Sequence, residues 1–216
     1  RQTKVRRTRL LDIKNMSFYL EIIRNVFQAV DDDGKLRNRI VAFTSATRGE
    51  GVSYVVNTIA KEIAEQTHKR VLAVDANGLQ HIRVPEASQV VRHCSETQLD
   101  NLLTLPAGVG RLVGPRNAQP VKDWHSDPEY RAACLKALRW NFDYIIVDCP
   151  SLSVSSDATL LAPLIDGVAI VVQAGRTRRG QIQRARQTVE NAGGEFLGFV
   201  LNQRRYSVPN WLYQRL

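Results

Sequence analysis

Apolar positions along this chain fall into two alternating rhythms. Unbroken runs in "RIVAFTS" (39–45), "KRVLAVDA" (69–76), "DYIIVDCP" (143–150), "GVAIVVQA" (167–174) and "FLGFVLNQ" (196–203) have the length and β-branched content of strands buried on both faces. Between them the apolar residues recur at helical spacing. Leu20, Ile23, Phe27 and Val30 share one face of "SFYLEIIRNVFQAV", with Ser17 as its cap and "DDDGK" as the turn that ends it. Val55, Val56, Ile59, Ala60 and Ile63 form a second face, and "DPEYRAACLKALRW" starts a third helix with Pro128 in its first turn. "DATLLAPLID" and "QIQRARQTVENAGG" complete the set, the latter with Ile182, Ala185, Val189 and Ala192 inward and a glycine stop. "LDNLLTLPAG" (99–108) is expected to hold a further strand, and "PAGVGRLVGPRNAQP" (106–120) to be loop. Alternation of this kind predicts an α/β fold with a doubly wound, mostly parallel sheet covered by helices. Ligands of such folds sit beyond the C-terminal strand ends. Here those ends carry residues 45–53, Asp75, Asp148 and Asn202.

Length and composition change this picture little. A chain of 216 residues with 44% hydrophobic content can bury a full core. No apolar run approaches the roughly 18 residues of a membrane helix, and "LLAPLIDGVAIVV" is interrupted by Asp166. The start at Arg1 rather than Met leads us to expect an upstream portion, and "RQTKVRRTRLLDIKN" lacks the apolar core of a signal peptide. Cys94, Cys134 and Cys149 are widely spaced and read as reduced structural thiols, and the histidines show no metal-ligand spacing.

Charge adds more. The net charge is +9 and uneven: six basic groups against Asp12 within residues 1–15, five arginines in "GRTRRGQIQRAR", and no acid after Glu195. Such a field suits polyanionic partners. Residues 1–16 are read as a basic, juxtamembrane-like segment able to meet anionic lipid on a cytoplasmic membrane face, and 17–216 as the folded domain. No helix-turn-helix or aromatic-interleaved basic stretch is present, which disfavours a nucleic-acid role.

The stretch "SATRGEGVSYV" (45–55) carries the chemistry. Gly49, Glu50 and Gly51 lie between a strand and a helix, where turned amides and the helix N-terminus can hold phosphate. Ser53 supplies a hydroxyl for Mg²⁺, Asp148 can hold that ion through water, and Asp75 can orient or deprotonate an attacking group. A G-x-x-x-x-G-K-[ST] loop needs a lysine where this chain has Val52.

On these motifs the chain resembles the bacterial tyrosine kinases of capsule and exopolysaccharide export, relatives of the partition-type, deviant Walker ATPases. "SATRGEGVS" is similar to their Walker A, "DANGL" (75–79) to their Walker A′, and "DYIIVDCP" to their Walker B; "DATLLAPLIDGVAIVVQAGRTRR" and "GFVLNQ" also match. The resemblance implies a P-loop NTPase-like fold, ATP or ADP with Mg²⁺, base contact by Asn202, a membrane-embedded polysaccharide copolymerase as partner, and tail tyrosines as phosphoacceptors, here Tyr206 and Tyr213. The chain departs from the family at Val52, at Asn77 for the second Walker A′ aspartate, at Leu79 for its arginine, and at Phe27 after Glu21 and Arg24 of the ring-assembly motif. We therefore expect a degenerate, pseudokinase-like regulatory domain with weak or lost nucleotide binding and weak self-association. The alternatives are an active autokinase that uses a substitute cation, Arg48 or one of Arg176, Arg178 and Arg179, and a partition-type ATPase or nucleic-acid-binding module.

Overall fold

The computed structural model describes residues Leu10–Asp12, Ile22, Val26, Phe27, 40–80, 109–112 and 124–203. Its strands are β1 (Leu10–Asp12), β2 (Ile40–Ser45), β3 (Val71–Asp75), β4 (Val109–Leu112), β5 (Tyr144–Asp148), β6 (Gly167–Gln173) and β7 (Phe196–Asn202). Its helices are α1 (Val52–Thr67), α2 (Ala76–Leu79), α3 (Pro128–Asn141), α4 (Asp157–Leu161) and α5 (Arg179–Asn191). All strand pairings are parallel, in the order β1-β7-β6-β2-β5-β3-β4.

Alternation along the strands divides the core in two. Ile40, Ala42, Leu72, Val74, Ile145, Val147 and Ile170 face α3, α4 and α5, whose Leu135, Leu138, Leu161 and Val189 close that layer. Val41, Phe43, Ala73, Ile146 and Val171 face the other way, onto Val55, Val56, Ile59 and Ile63 of α1 and onto Ile22, Val26 and Phe27. A parallel sheet needs this double cover, and it explains why its strands read as continuous apolar runs. Phe27 is fully buried and meets the Tyr144 ring edge-on at 5.8 Å. Its ring is spent inside the molecule and presents no charged contact at the surface. Leu20, Ile23, Val30 and Ser17 lie outside the described residues.

Three element boundaries differ from expectation. Leu10–Asp12, placed by sequence in the basic segment 1–16, pair with Phe199–Leu201 as an edge strand. Val109–Leu112, expected as loop, pair in parallel with Val71–Val74. Edge strands need only a few residues and tolerate glycine and proline punctuation nearby, so their apolar signal is weak. The helix expected over 157–166 stops at Leu161 and continues as a short 3₁₀ turn, Ala162–Leu164, because Pro163 cannot extend it.

Asp166, which broke the longest apolar run, is a structural tie. Its carboxylate accepts the Ile40 N–H at 2.6 Å and Arg139 Nη2 at 2.7 Å, which fixes the start of β2 against α3. The central strand β2 has β5 on one side and β6 on the other. The chain leaves β2 toward β3 and β4 and later builds β6 and β7 on the opposite flank. That reversal opens a crevice at the C-terminal end of β2.

Candidate functional site

The end of β2 runs into the glycine loop, and α1 begins at Val52. Gly49 and Gly51 have φ of 84° and 86°, in the left-handed region that favours glycine. Gly51 is the N-cap of α1, no side chain caps the helix, and no acidic residue lies in its first turn. The first amides of α1 are thus left for another acceptor.

Side chains behind the loop hold it in this shape. Glu50 is 1% exposed. Its carboxylate accepts the Thr47 N–H at 3.2 Å, the Thr47 hydroxyl at 3.1 Å and the Thr177 hydroxyl. The Thr177 oxygen in turn accepts the Gln173 N–H at 2.9 Å, so the loop is tied to the end of β6. Asn202, at the end of β7, donates from Nδ2 to the Glu50 carbonyl at 2.9 Å and the Gly51 carbonyl at 3.5 Å. Its Oδ1 accepts the Gln203 N–H at 2.7 Å, and Gln203 Nε2 donates to the Gly49 carbonyl at 3.1 Å. A Cβ on Gly51 would lie 2.2 Å from Asn202 Nδ2, so the contact itself requires glycine. The amide of Asn202 thus holds the loop backbone. Thr177 and Gln203 were missed by sequence reasoning, and neither shows any spacing that would have marked it.

The opposite wall follows β5. Cys149 N–H and Leu152 N–H donate to the carbonyls of Phe43 and Ser45, both of β2, at 2.8 and 2.9 Å, and Thr44 Oγ1 donates to the Pro150 carbonyl at 2.7 Å. Asp75 and Asp148 are direct register partners at the ends of β3 and β5. Asp75 also caps α2 by accepting the Gly78 N–H. Asp157, buried at the start of α4, accepts from Gln80 at 2.8 Å and Ser155 at 2.7 Å. Burial, with Asp148, Asp157 and Asp75 alongside, pushes the Cys149 thiol well above its ordinary value. The same walls enclose a cavity of about 450 Å³, lined by Ser45, Arg48, the glycine loop, Val52, Ser53, Asp148 and the 149–151 turn.

Part of the predicted set meets at the cavity, while Asp75 and Asn202 do not line it. Gly49, Glu50, Gly51, Val52, Ser53 and Asp148 line the cavity, and Ser53 is exposed to it. Asp75 stands one strand away. Val52 is 9% exposed and packs in the core layer under α1. Leu79 is fully buried in the other layer, while Asn77 is exposed. Of the candidate substitute cations, Arg48 lines the cavity; Arg176, Arg178 and Arg179 are exposed but do not. Tyr206 and Tyr213 lie outside the described residues.

No family model matches the chain. Tyrosine-protein kinase CpsD of Streptococcus agalactiae is 29% identical over 221 residues, covering 94% of this chain and 90% of that protein. Other homologues of this chain are likewise named bacterial tyrosine-protein kinases, among them YwqD of Bacillus subtilis, 27% identical over 213 residues. Succinoglycan biosynthesis transport protein ExoP of Rhizobium meliloti is 28% identical over 204 residues, 87% of this chain but 25% of that protein. Among solved structures, the chimerical protein CapA2B2 shares the fold with a TM-score of 0.69 at 20% identity, covering 92% of this chain and 96% of that one. Among the described residues no helix is long and apolar enough to cross a membrane.

The cavity fits a nucleotide's phosphates on two counts internal to the chain: the uncapped start of α1 behind two left-handed glycines, and a hydroxyl and carboxylate, Ser53 and Asp148, on its walls. The loop amides would take the phosphates, Ser53 would ligate Mg²⁺, and Asp148 would hold the ion's water shell. Bound Mg²⁺-ATP supplies an activated phosphoryl group. Arg48 is the only cation among the described residues lining the cavity.

Proposed function

We propose that this chain is a degenerate, pseudokinase-like regulatory domain of a polysaccharide polymerisation and export system. In this reading it keeps a nucleotide cavity but transfers no phosphoryl group to tyrosine. One observation carries the reading: the residue standing for the catalytic lysine is a neutral side chain turned into the core. Phosphoryl transfer depends on positioned positive charge, and loss of one preorganised donor costs about 3–4 kcal/mol, on the order of 10²–10³ in rate.

Homology to capsule and exopolysaccharide tyrosine kinases, and to a protein named for succinoglycan transport, supports the setting. The proposed place is the cytoplasmic face of the cell membrane, beside a membrane-embedded copolymerase, with the basic residues Arg1, Lys4, Arg6, Arg7 and Arg9 against anionic lipid. A second reading has one observation in its favour: Arg48 lines the cavity and is exposed, so it can serve as the substitute cation of an active autokinase.

Phosphotyrosine detection on the purified chain with Mg²⁺-ATP separates the two. The expected result is no phosphorylation of Tyr206 or Tyr213 in the original chain, a partial gain with Val52→Lys, and a further gain when Asn77→Asp is added. Phosphorylation of the original chain that disappears with Asp148→Asn refutes the degenerate reading.

A further inference from the structure

We propose that the cavity at the end of β2 takes a nucleoside diphosphate in preference to the triphosphate. This rests on the nucleotide reading of the cavity and adds which ligand it selects.

Two halves of the site make the difference. The first is backbone: left-handed Gly49 and Gly51, and an α1 start with no capping side chain and no acid in its first turn. Asn202, Gln203 and Glu50 hold that backbone in place from behind. None of this needs a side chain at position 52, so the cradle for the α- and β-phosphates is intact.

The second half is side-chain charge, and it is altered. A lysine in the loop reaches the β- and γ-phosphates; Val52 is neutral and packed with the core under α1. The described residues lining the cavity offer Arg48 as cation against Glu50 and Asp148 as acids. Asp75 adds another carboxylate one strand from Asp148. A diphosphate places its charge on the amide cradle. A triphosphate adds a further phosphoryl group beyond it, where the cation has been replaced by an apolar group. Arg176, Arg178 and Arg179 do not line this space.

The test is titration calorimetry of the full chain with Mg²⁺-ADP and Mg²⁺-ATP, repeated on Val52→Lys and on Arg48→Ala. Tighter binding of Mg²⁺-ADP than Mg²⁺-ATP, on the order of tenfold for one poorly compensated charge, is expected for the original chain. Val52→Lys should tighten ATP more than ADP and close that ratio, while Arg48→Ala should widen it. ATP bound as tightly as ADP, or more tightly, by the original chain overturns the preference and leaves the nucleotide reading standing. Binding of neither overturns both. The original chain alone decides the matter if Val52→Lys does not fold.

Discussion

Removing the Glu50 carboxylate tests whether the loop is held from behind. The group is 1% exposed and accepts from the Thr47 N–H, the Thr47 hydroxyl and the Thr177 hydroxyl. In Glu50→Ala the two hydroxyls can turn to other acceptors, but the Thr47 amide cannot. An orphaned buried donor costs about 1–3 kcal/mol, and hydrogen bonds to a charged group contribute about 1.5–3 kcal/mol. Burying the carboxylate carries its own desolvation cost, which its removal returns. A net loss of about 3–4 kcal/mol is expected for Ala. Gln, which keeps one acceptor for the Thr47 amide, should cost about 1–2 kcal/mol. For a domain of this size each kcal/mol moves the melting temperature by about 2–4 °C, so calorimetric scans should show a fall of roughly 6–15 °C for Ala and clearly less for Gln. Thr177→Val should share part of the effect, with a double-mutant coupling of about 1 kcal/mol or more. An Ala variant that melts with the original chain, or strictly additive effects of the two changes, refutes the brace.

Gly51→Ala places a Cβ 2.2 Å from Asn202 Nδ2 at a φ of 86°. A destabilisation of about 2–4 kcal/mol by urea melting is expected from clash and strain together, and a change under 0.5 kcal/mol would mean that Asn202 does not grip the loop. Asp143 gives a pH signature. Burial raises its carboxyl, but the Arg70 backbone N–H, the Arg70 side chain and the Lys69 charge outweigh this and hold it below its ordinary value. Its stabilisation is therefore complete above the ordinary carboxylate value and lost as pH falls through the lowered one. The pair is partly exposed, so the effect is on the order of 1 kcal/mol or less. The gap between the original chain and Asp143→Asn in urea midpoint should be present at pH 7 and shrink as pH falls below the ordinary carboxylate value; a gap that does not change with pH would refute the assignment.

The parts legible in the sequence were those that repeat or punctuate. Buried strands such as Ile40–Ser45 and Gly167–Gln173 announce themselves because burial on both faces leaves no polar position. The glycine loop and the two strand-end aspartates are legible because the topology brings every C-terminal strand end to one edge. Val109–Leu112 was hidden because an edge strand of four residues carries little periodic signal. Thr177, Asn202 and Gln203 were illegible as braces, since a hydrogen bond spanning well over a hundred residues leaves no trace in spacing.

The two apolar replacements share one physical consequence. Val52 and Leu79 stand where the resembling kinases carry lysine and arginine, and each is now part of a core layer. Burying such side chains contributes about 1.5–3 kcal/mol apiece to folding. A cation at either place would instead have to keep its charge in solvent or against phosphate. The substitutions therefore move free energy from ligand contact into the fold, and they do so on opposite faces of the sheet. Neither change disturbs the backbone cradle, because its shape is set by Gly49, Gly51, Glu50 and Asn202. A chain selected for phosphoryl transfer would lose from this exchange. A chain selected to hold a shape, with a phosphate cradle retained, gains stability from it.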